Sequence, residues 1–360
     1  MRHLVITCVS TLAAIVALRM LASRLGLIDR PGARKAHIGS VPVVGGLGMM
    51  TGIVLAVVSD PPAGPYPLLV LAISAAICIL GALDDRYDLS PRLRLCIQFA
   101  AAIALVGALT KTTAHVASFY GLSAAGVEWL TIPLAVVAVV ALINAFNMID
   151  GVDGLAASVA LVAVTAFLWL AARGGVGHLD DLALATIGAL LAFFLFNAPT
   201  RANRTSLVFL GDAGSTLLGI LLGAFALDAA VSERATPLAP AMIPFFMPIP
   251  IFELFASVVR RLLRGRSPFK ADAGHFHHVL RDAGLSPPGI VILYFGFSAI
   301  SAICGLFLYE IAAPRAVMLL VLAALITLWW LLLTVVRRLV HMRRIISQPE
   351  VPQGDVGSQA

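Results

Sequence analysis

The sequence predicts an all-α polytopic integral membrane protein of about eleven transmembrane helices, N-terminus out and C-terminus cytoplasmic. Three observations carry this. Of 360 residues, 60% are hydrophobic and only 12% charged, whereas a soluble domain sits near half apolar and a quarter charged. Mean hydropathy is +0.98, which excludes a soluble globular enzyme, a disordered chain and a coiled coil. The apolar stretches are continuous rather than alternating, which argues against a membrane β-barrel.

Eleven segments are apolar enough to be spans, at roughly 3–23, 43–59, 66–83, 95–110, 129–146, 154–172, 181–198, 214–230, 237–258, 289–309 and 314–336. Those at 43–59 and 95–110 are short. The first segment is read as a span rather than a cleaved signal peptide, because no small-residue cleavage site precedes the charged stretch after it. Residues 1–345 read as one membrane-embedded domain with its site on the cytoplasmic face, and 346–360 as a polar, disordered tail.

Orientation follows from Lys and Arg. The loop after the first span, every second loop thereafter and the C-terminal tail together carry 19 basic residues; the other side carries five. The net charge of +6 is therefore a topological signal and does not call for nucleic acid. Cys8, Cys78, Cys96 and Cys304 are widely spaced and read as apolar packers rather than metal ligands or a disulfide framework. No strong internal repeat is present, which weakens a typical transporter reading.

The chain has only 19 acids, and six of them, Asp84, Asp85, Asp88, Asp150, Asp153 and Asp212, fall at helix ends on the predicted cytoplasmic face. In "GALDDRYDLSPRLR" (81–94), adjacent carboxylates repel unless a cation or hydrogen bonds compensate. A solvated helix end is the plain reading; a magnesium and phosphate site is the chemical one. In "NAFNMIDGVDGLAAS" (144–158), Asn144, Asn147, Asp150 and Asp153 recur every third residue and would line a curved wall, with Gly151 and Gly154 interrupting it. Polar turns are the alternative there. "FLGDAGSTLLG" (209–219) puts Asp212 and Ser215 at a helix start, either as an ordinary cap or as a cation ligand beside free N–H groups.

"RGRSPFKADAGHFHHVLRDAG" (264–284) carries His275, His277 and His278 among Arg264, Arg266, Lys270 and Arg281. Zinc fits poorly, with no cysteine near; phosphate recognition fits better, and a plain basic interfacial loop is the alternative. Lys35 and His37 stand before the Gly-rich start at Gly45, Gly46 and Gly48. Glu253 lies in the ninth apolar segment, too far from Arg260 for a standard helical pair, and reads equally as a structural or an active-site acid.

Taken in order, the Asp84-Asp85 pair, the "NxxNxxDGxDG" from Asn144, the "GDxGS" from Gly211 and the "HxHH" from His275 resemble the polyprenyl-phosphate N-acetylhexosamine-1-phosphate transferases, the glycosyltransferase 4 family. The resemblance runs from about Arg30 to Arg344. Its peptidoglycan branch, which uses UDP-MurNAc-pentapeptide, typically has three consecutive histidines; His275-Phe276-His277-His278 looks like the branch that uses UDP-GlcNAc to initiate enterobacterial common antigen, O-antigen and teichoic acids. "RGRSPF" strengthens that match. Where that branch usually has Asp, this chain has Glu253, one methylene longer, which points to a tuned sugar choice or rate.

The resemblance implies transfer of GlcNAc-1-phosphate from UDP-GlcNAc to undecaprenyl phosphate with release of UMP, in a bacterial inner membrane. It implies Mg²⁺, with Mn²⁺ as a substitute. Asp84, Asp85 and Asp212 are its implied metal and phosphate centre, Asp212 foremost. Asn144, Asn147, Asp150, Asp153, His275, His277, His278, Lys35 and His37 are its nucleotide-sugar contacts. Another UDP-N-acetylhexosamine or UDP-MurNAc-pentapeptide is the alternative donor. A transporter or lipid flippase is the reading from another class, and it fits poorly because the acids cluster at helix ends rather than at mid-membrane. The oligomeric state stays open, a homo-oligomer included.

Overall fold

A computed structural model describes residues 1–29, 39–108, 127–174, 178–198, 206–231, 238–265 and 275–346. It is helical almost throughout. In chain order the helices are α1 (Arg2–Leu25), α2 (Gly45–Ser59), α3 (Pro65–Tyr87), α4 (Pro91–Gly107), α5 (Thr131–Ile149), α6 (Leu155–Gly174), α7 (Asp180–Asn197), α8 (Gly211–Val231), α9 (Ala239–Phe246), α10 (Pro248–Leu263), α11 (Phe276–Asp282), α12 (Pro287–Glu310) and α13 (Arg315–Ile346). A two-residue antiparallel ribbon pairs Ile28–Asp29 with Val41–Pro42.

Every predicted apolar segment holds helix. Eight helices are long and apolar enough to cross a membrane, or nine if the bent pair counts as one, so the chain is a polytopic membrane protein. Helix α2 is shorter at 15 residues, and α4 has 17. The ninth segment, expected as one span, is two helices meeting at 83°. Pro244, Pro248 and Pro250 explain the break, since each removes a backbone donor and crowds the preceding turn. The predicted tail beyond Ile346 lies outside the described residues.

Helix α8 is the axis of the bundle. Every residue from 213 to 226 is buried, and α2, α3, α5 and α6 all pack on it. Its neighbours approach through small residues, as membrane helices do when packing rather than hydrophobicity drives association. A Cβ at Gly81 would sit 2.5 Å from the Ala213 amide nitrogen, and one at Gly46 would overlap the backbone of Gly214. These approaches bring the C-terminal end of α3 and the N-terminal ends of α2 and α8 together. Outward-facing Val5, Leu195, Ile292, Leu319 and Leu320 are more than half exposed, the pattern of a lipid-facing surface.

Local signals mark the ends near the site. Ser90 caps α4 by accepting the Leu93 N–H at 3.3 Å, with Pro91 following it, and Ser286 and Pro287 open α12 in the same way. Both follow the preference for a hydroxyl at the N-cap and proline just inside.

Candidate functional site

The acids predicted on one face converge at one end of the bundle. Asp85, near the end of α3, reaches across to the start of α8. Its Oδ1 accepts the Asp212 N–H at 2.9 Å and its Oδ2 the Ala213 N–H at 3.1 Å. Asp85 thus satisfies two of the orphan donors that begin every helix and favours the positive end of the α8 dipole. The neighbouring Asp84 is buried; its Oδ1 accepts the Leu89 N–H at 2.8 Å and its Oδ2 is paired with Arg94 of α4.

Asp212 is the acid these contacts present. Asn147 of α5 donates from Nδ2 to Asp212 Oδ1 at 2.6 Å and to Ser215 Oγ at 3.1 Å. The other oxygen, Oδ2, lies 3.7 Å from Arg94 Nη1. The Asp212 side chain is about one-third exposed, so it faces an opening rather than the core. Asn144 gives its amide to Gln98 Oε1 at 2.7 Å and to the Val140 carbonyl at 2.8 Å, tying α5 to α4 rather than reaching Asp212.

Helix α5 stops at Ile149, and Asp150 and Asp153 fall in the turn before α6. Removal from water, and then Asp212, Asp85 and Asp153 nearby, push the Asp150 carboxyl well above the usual carboxylate range. Asn197, at the end of α7, fixes this turn: its Oδ1 accepts the Gly154 N–H at 2.6 Å and its Nδ2 donates to the Val208 carbonyl at 2.9 Å. One buried amide thereby registers the 150–154 turn against the strand-like approach to Asp212.

The histidines complete the wall. His277 is buried and lies against Gly151, where a Cβ would overlap His277 Nε2 and stand 3.0 Å from its Cδ2. The glycine between Asp150 and Asp153 is the space that His277 occupies. The His277 ring stacks on His275 with centroids 5.9 Å apart and meets His278 at 4.2 Å. Burial, then His278, His275 and Arg281, push His277 down to about 3. His278 is lowered too, by burial and then by Arg281 and His275, and its Nδ1 lies 3.4 Å from Arg281 Nη2. His277 is thus a neutral hydrogen-bonding group at neutral pH.

Glu253, buried on α10, explains how the histidines are held. Its two oxygens stand 3.3 and 3.4 Å from the Phe276 N–H, and Oε2 stands 3.6 Å from His275 Nδ1. Below, Phe276 packs edge-on against Trp329 at 4.9 Å, and Trp329 against Tyr294 at 5.2 Å and Phe297 at 4.7 Å. The short α11 is therefore clamped between a carboxylate and an aromatic base. Lys35 and His37, and with them Arg266 and Lys270, lie outside the described residues.

Arg94, Gln98 and Asn197 were not singled out from sequence. Arg94 carried a signal: a second arginine in the first turns of a helix, where the dipole favours anions.

The model of glycosyl transferase family 4 matches residues 67–230, from α3 through α8. A Haemophilus influenzae protein named undecaprenyl-phosphate alpha-N-acetylglucosaminyl 1-phosphate transferase is 31% identical over 85% of this chain and 86% of its own. The chain belongs to glycosyl transferase family 4. Proteins of the same name from Pasteurella multocida, 32% identical over 84% of this chain and 85% of theirs, and Escherichia coli K12, 31% over 84% and 82%, are similar to the same extent. The family match covers Asp84, Asp85, the 144–154 stretch and Asp212; the histidines lie beyond residue 230, where the 303- and 305-residue alignments take over.

Proposed function

We propose that this family 4 protein transfers GlcNAc-1-phosphate from UDP-GlcNAc to undecaprenyl phosphate and releases UMP. The observation that carries the reading is the gathering of Asp84, Asp85, Asp150 and Asp212 at one end of a membrane bundle, beside three histidines. Relatives bearing the name of this activity at about 31% identity support it. In this reading the protein lies in a bacterial inner membrane with eleven crossings and its N-terminus outside, and this end faces the cytoplasm, an orientation that the Lys and Arg bias supports. There a soluble nucleotide sugar meets a lipid whose tail stays in the bilayer.

The donor set suits a hard divalent cation. The oxygens are carboxylate, and Asp212 Oδ2 is the outward-facing one. Mg²⁺ binds through one or two carboxylates plus waters and substrate phosphates, so Asp212 with the substrates' own oxygens would be enough to hold it. Asp212 is the proposed direct ligand, with Asp84 and Asp85 in the same centre. Mg²⁺, or Mn²⁺ in its place, would supply charge neutralisation to the phosphoryl group in transfer.

The protein's own groups have separable tasks. Asn147 fixes the carboxylate of Asp212, and Asp85 fixes its backbone. His278 and Arg281 offer donors to the diphosphate, while His277 and the 150–154 turn face the nucleotide sugar. An oxygen of the lipid phosphate attacks the sugar-bearing phosphorus; the bond to the bridging oxygen breaks and its electron pair leaves with UMP. With a second pKa near 6, the acceptor phosphate is already largely ionised at neutral pH, so the attack needs no protein base.

Purified protein in detergent, given Mg²⁺, undecaprenyl phosphate and UDP-GlcNAc, should release UMP and form lipid-linked GlcNAc-1-phosphate, both read by mass. Turnover only with another UDP-N-acetylhexosamine or with UDP-MurNAc-pentapeptide would move the sugar specificity. A folded protein silent with every donor would overturn the reading.

A further inference from the structure

Resting on the transferase reading above, we propose that Arg94 is a catalytic phosphate-binding residue, and that Asp84 is the carboxylate that aims it. A guanidinium carries five N–H donors in a rigid fork. In Arg94 only Nη1 is engaged, by Asp84 Oδ2 and, at 3.7 Å, by Asp212 Oδ2. Nε and Nη2 have no protein partner among the described residues. The side chain is one-third exposed, as is that of Asp212, whereas Asp84 is almost completely buried. One tine of the fork is therefore anchored, and the rest faces the opening beside the outward oxygen of Asp212.

Position adds a second, independent argument. Arg94 lies four residues after the Ser90 cap of α4, at the positive end of the helix dipole, where a cation is unfavourable. A lysine or arginine meant only to follow the positive-inside rule is accommodated in a loop without that cost. The same helix end that disfavours the arginine favours a phosphate beside it, and arginine binds phosphate through two parallel N–H···O bonds. A bound phosphoryl group would thus offset the unfavourable placement of Arg94 at this helix start. Asp84, held by the Leu89 N–H, keeps Nη1 in place while Nε and Nη2 take the phosphoryl oxygens.

The test separates a phosphate ligand from a mere partner of Asp84. Wild type, R94Q, R94K, D84N and D84N/R94Q would be compared by turnover and by the thermal shift that undecaprenyl phosphate or UDP-GlcNAc produces in detergent. R94Q should lower kcat/KM by roughly 10²- to 10³-fold, the loss typical of removing one donor to a developing phosphoryl or oxyanion charge. R94K, which keeps the charge without the fork, should lose about tenfold. In the D84N background the buried carboxylate that Arg94 neutralises is already gone, and the other, on Asp212, is one-third exposed, so folding is protected. There, D84N/R94Q should show a smaller shift with one phosphate ligand than D84N, which itself binds more weakly than wild type because Asp84 belongs to the same centre. Loss with the lipid phosphate assigns Arg94 to the acceptor, and loss with the nucleotide sugar assigns it to the donor. Equal shifts in wild type and R94Q with both ligands, or R94Q turnover within threefold of wild type, would overturn the proposal. A wild type that binds and turns over neither ligand would instead refute the proposed function, leaving the two failures distinct.

Discussion

The two ends of the bundle treat charge in opposite ways. At the end away from the site, four acids are each paired with a basic side chain. Arg2 pairs with Asp60 at 3.5 Å, His3 with Asp181 at 3.1 Å, His178 with Asp228 at 3.0 Å and Arg173 with Glu310 at 3.1 Å. At the other end Asp84, Asp85, Asp150 and Asp212 crowd together, and Arg94 is the cation whose ion pairs reach two of them. Matched pairs close a structure. An acid-rich cluster held in place by Asn147, backbone N–H groups and Arg94 carries more carboxylates than this arginine matches, and is poised for positive charge from outside. That contrast distinguishes acids kept for architecture from acids kept for chemistry, although both groups sit at helix ends of the same apolar chain.

Removing one acid from each end is the sharpest way to break the contrast, and the largest effect is expected at the site. Asp212→Ala should abolish Mg²⁺-dependent UMP release, a loss of at least about a thousandfold on the scale set by single transition-state donors and ligands, while leaving the protein folded. Asp228→Ala, at the matched end, should leave turnover within threefold and instead lower the midpoint of thermal inactivation, since His178 then loses its partner. A charged hydrogen bond of this type is worth about 1.5–3 kcal/mol when buried, and less here because His178 is largely exposed. If both variants lost only stability, or both lost only turnover, the division between the two ends would fail.

The next comparison concerns space rather than charge. Gly151→Ala places a methyl where His277 Nε2 now lies. The imidazole cannot swing away freely, being buried and stacked against His275. Overfilling such a site costs about 1–3 kcal/mol, and the expected reading is a rise in KM for the nucleotide sugar with kcat changed less. Gly296→Ala, on α12 with open space around it, is the matched control and should leave both constants unchanged. An unchanged KM in Gly151→Ala would show that His277 does not need its present position.

What was legible in the sequence follows the same physics. Continuous apolar runs located a helix at each of eleven segments, because a lipid-facing backbone has few alternatives. The four polar motifs were visible because hydrophilic residues stand out in a chain that is 60% hydrophobic. Their order and spacing did the rest and marked out Asp212. Contacts between distant elements were not legible. Nothing in "DD" tells that Asp85 caps a helix 127 residues away, or that Asp84 turns toward Arg94. Asn144 looked like part of the polar wall by its three-residue spacing, yet its amide pairs with Gln98 on another helix. Asn197 is a single amide at the end of an apolar run, and its role exists only once residues 154 and 208 are brought to it. The break at 247 was written in three prolines, but hydropathy alone averaged it into one span.

The smallest expected effect is a pH dependence of stability, and its sign follows from the histidines. His277 is pushed down to about 3 and His278 is lowered too, so the folded protein binds fewer protons there than the unfolded chain. Stability from these groups is fully present above about pH 6.5 and is lost as pH falls from there toward 3. Asp150 acts in the opposite sense. Its carboxyl is raised, so the folded protein holds a proton that the unfolded chain releases, and this contribution is lost as pH rises above the ordinary carboxylate range. Thermal inactivation of the cation-free protein between pH 7.5 and 5 should therefore show a shallow slope built from two opposing terms. His277→Asn removes the first and should make the protein relatively more stable at pH 5 than wild type. Asp150→Asn removes the second and should raise stability most at pH 7.5. If neither variant altered the slope, the buried groups around the 150–154 turn would carry no protonation linkage, and the charge conflict at this end would be confined to Asp212, Asp84 and Asp85.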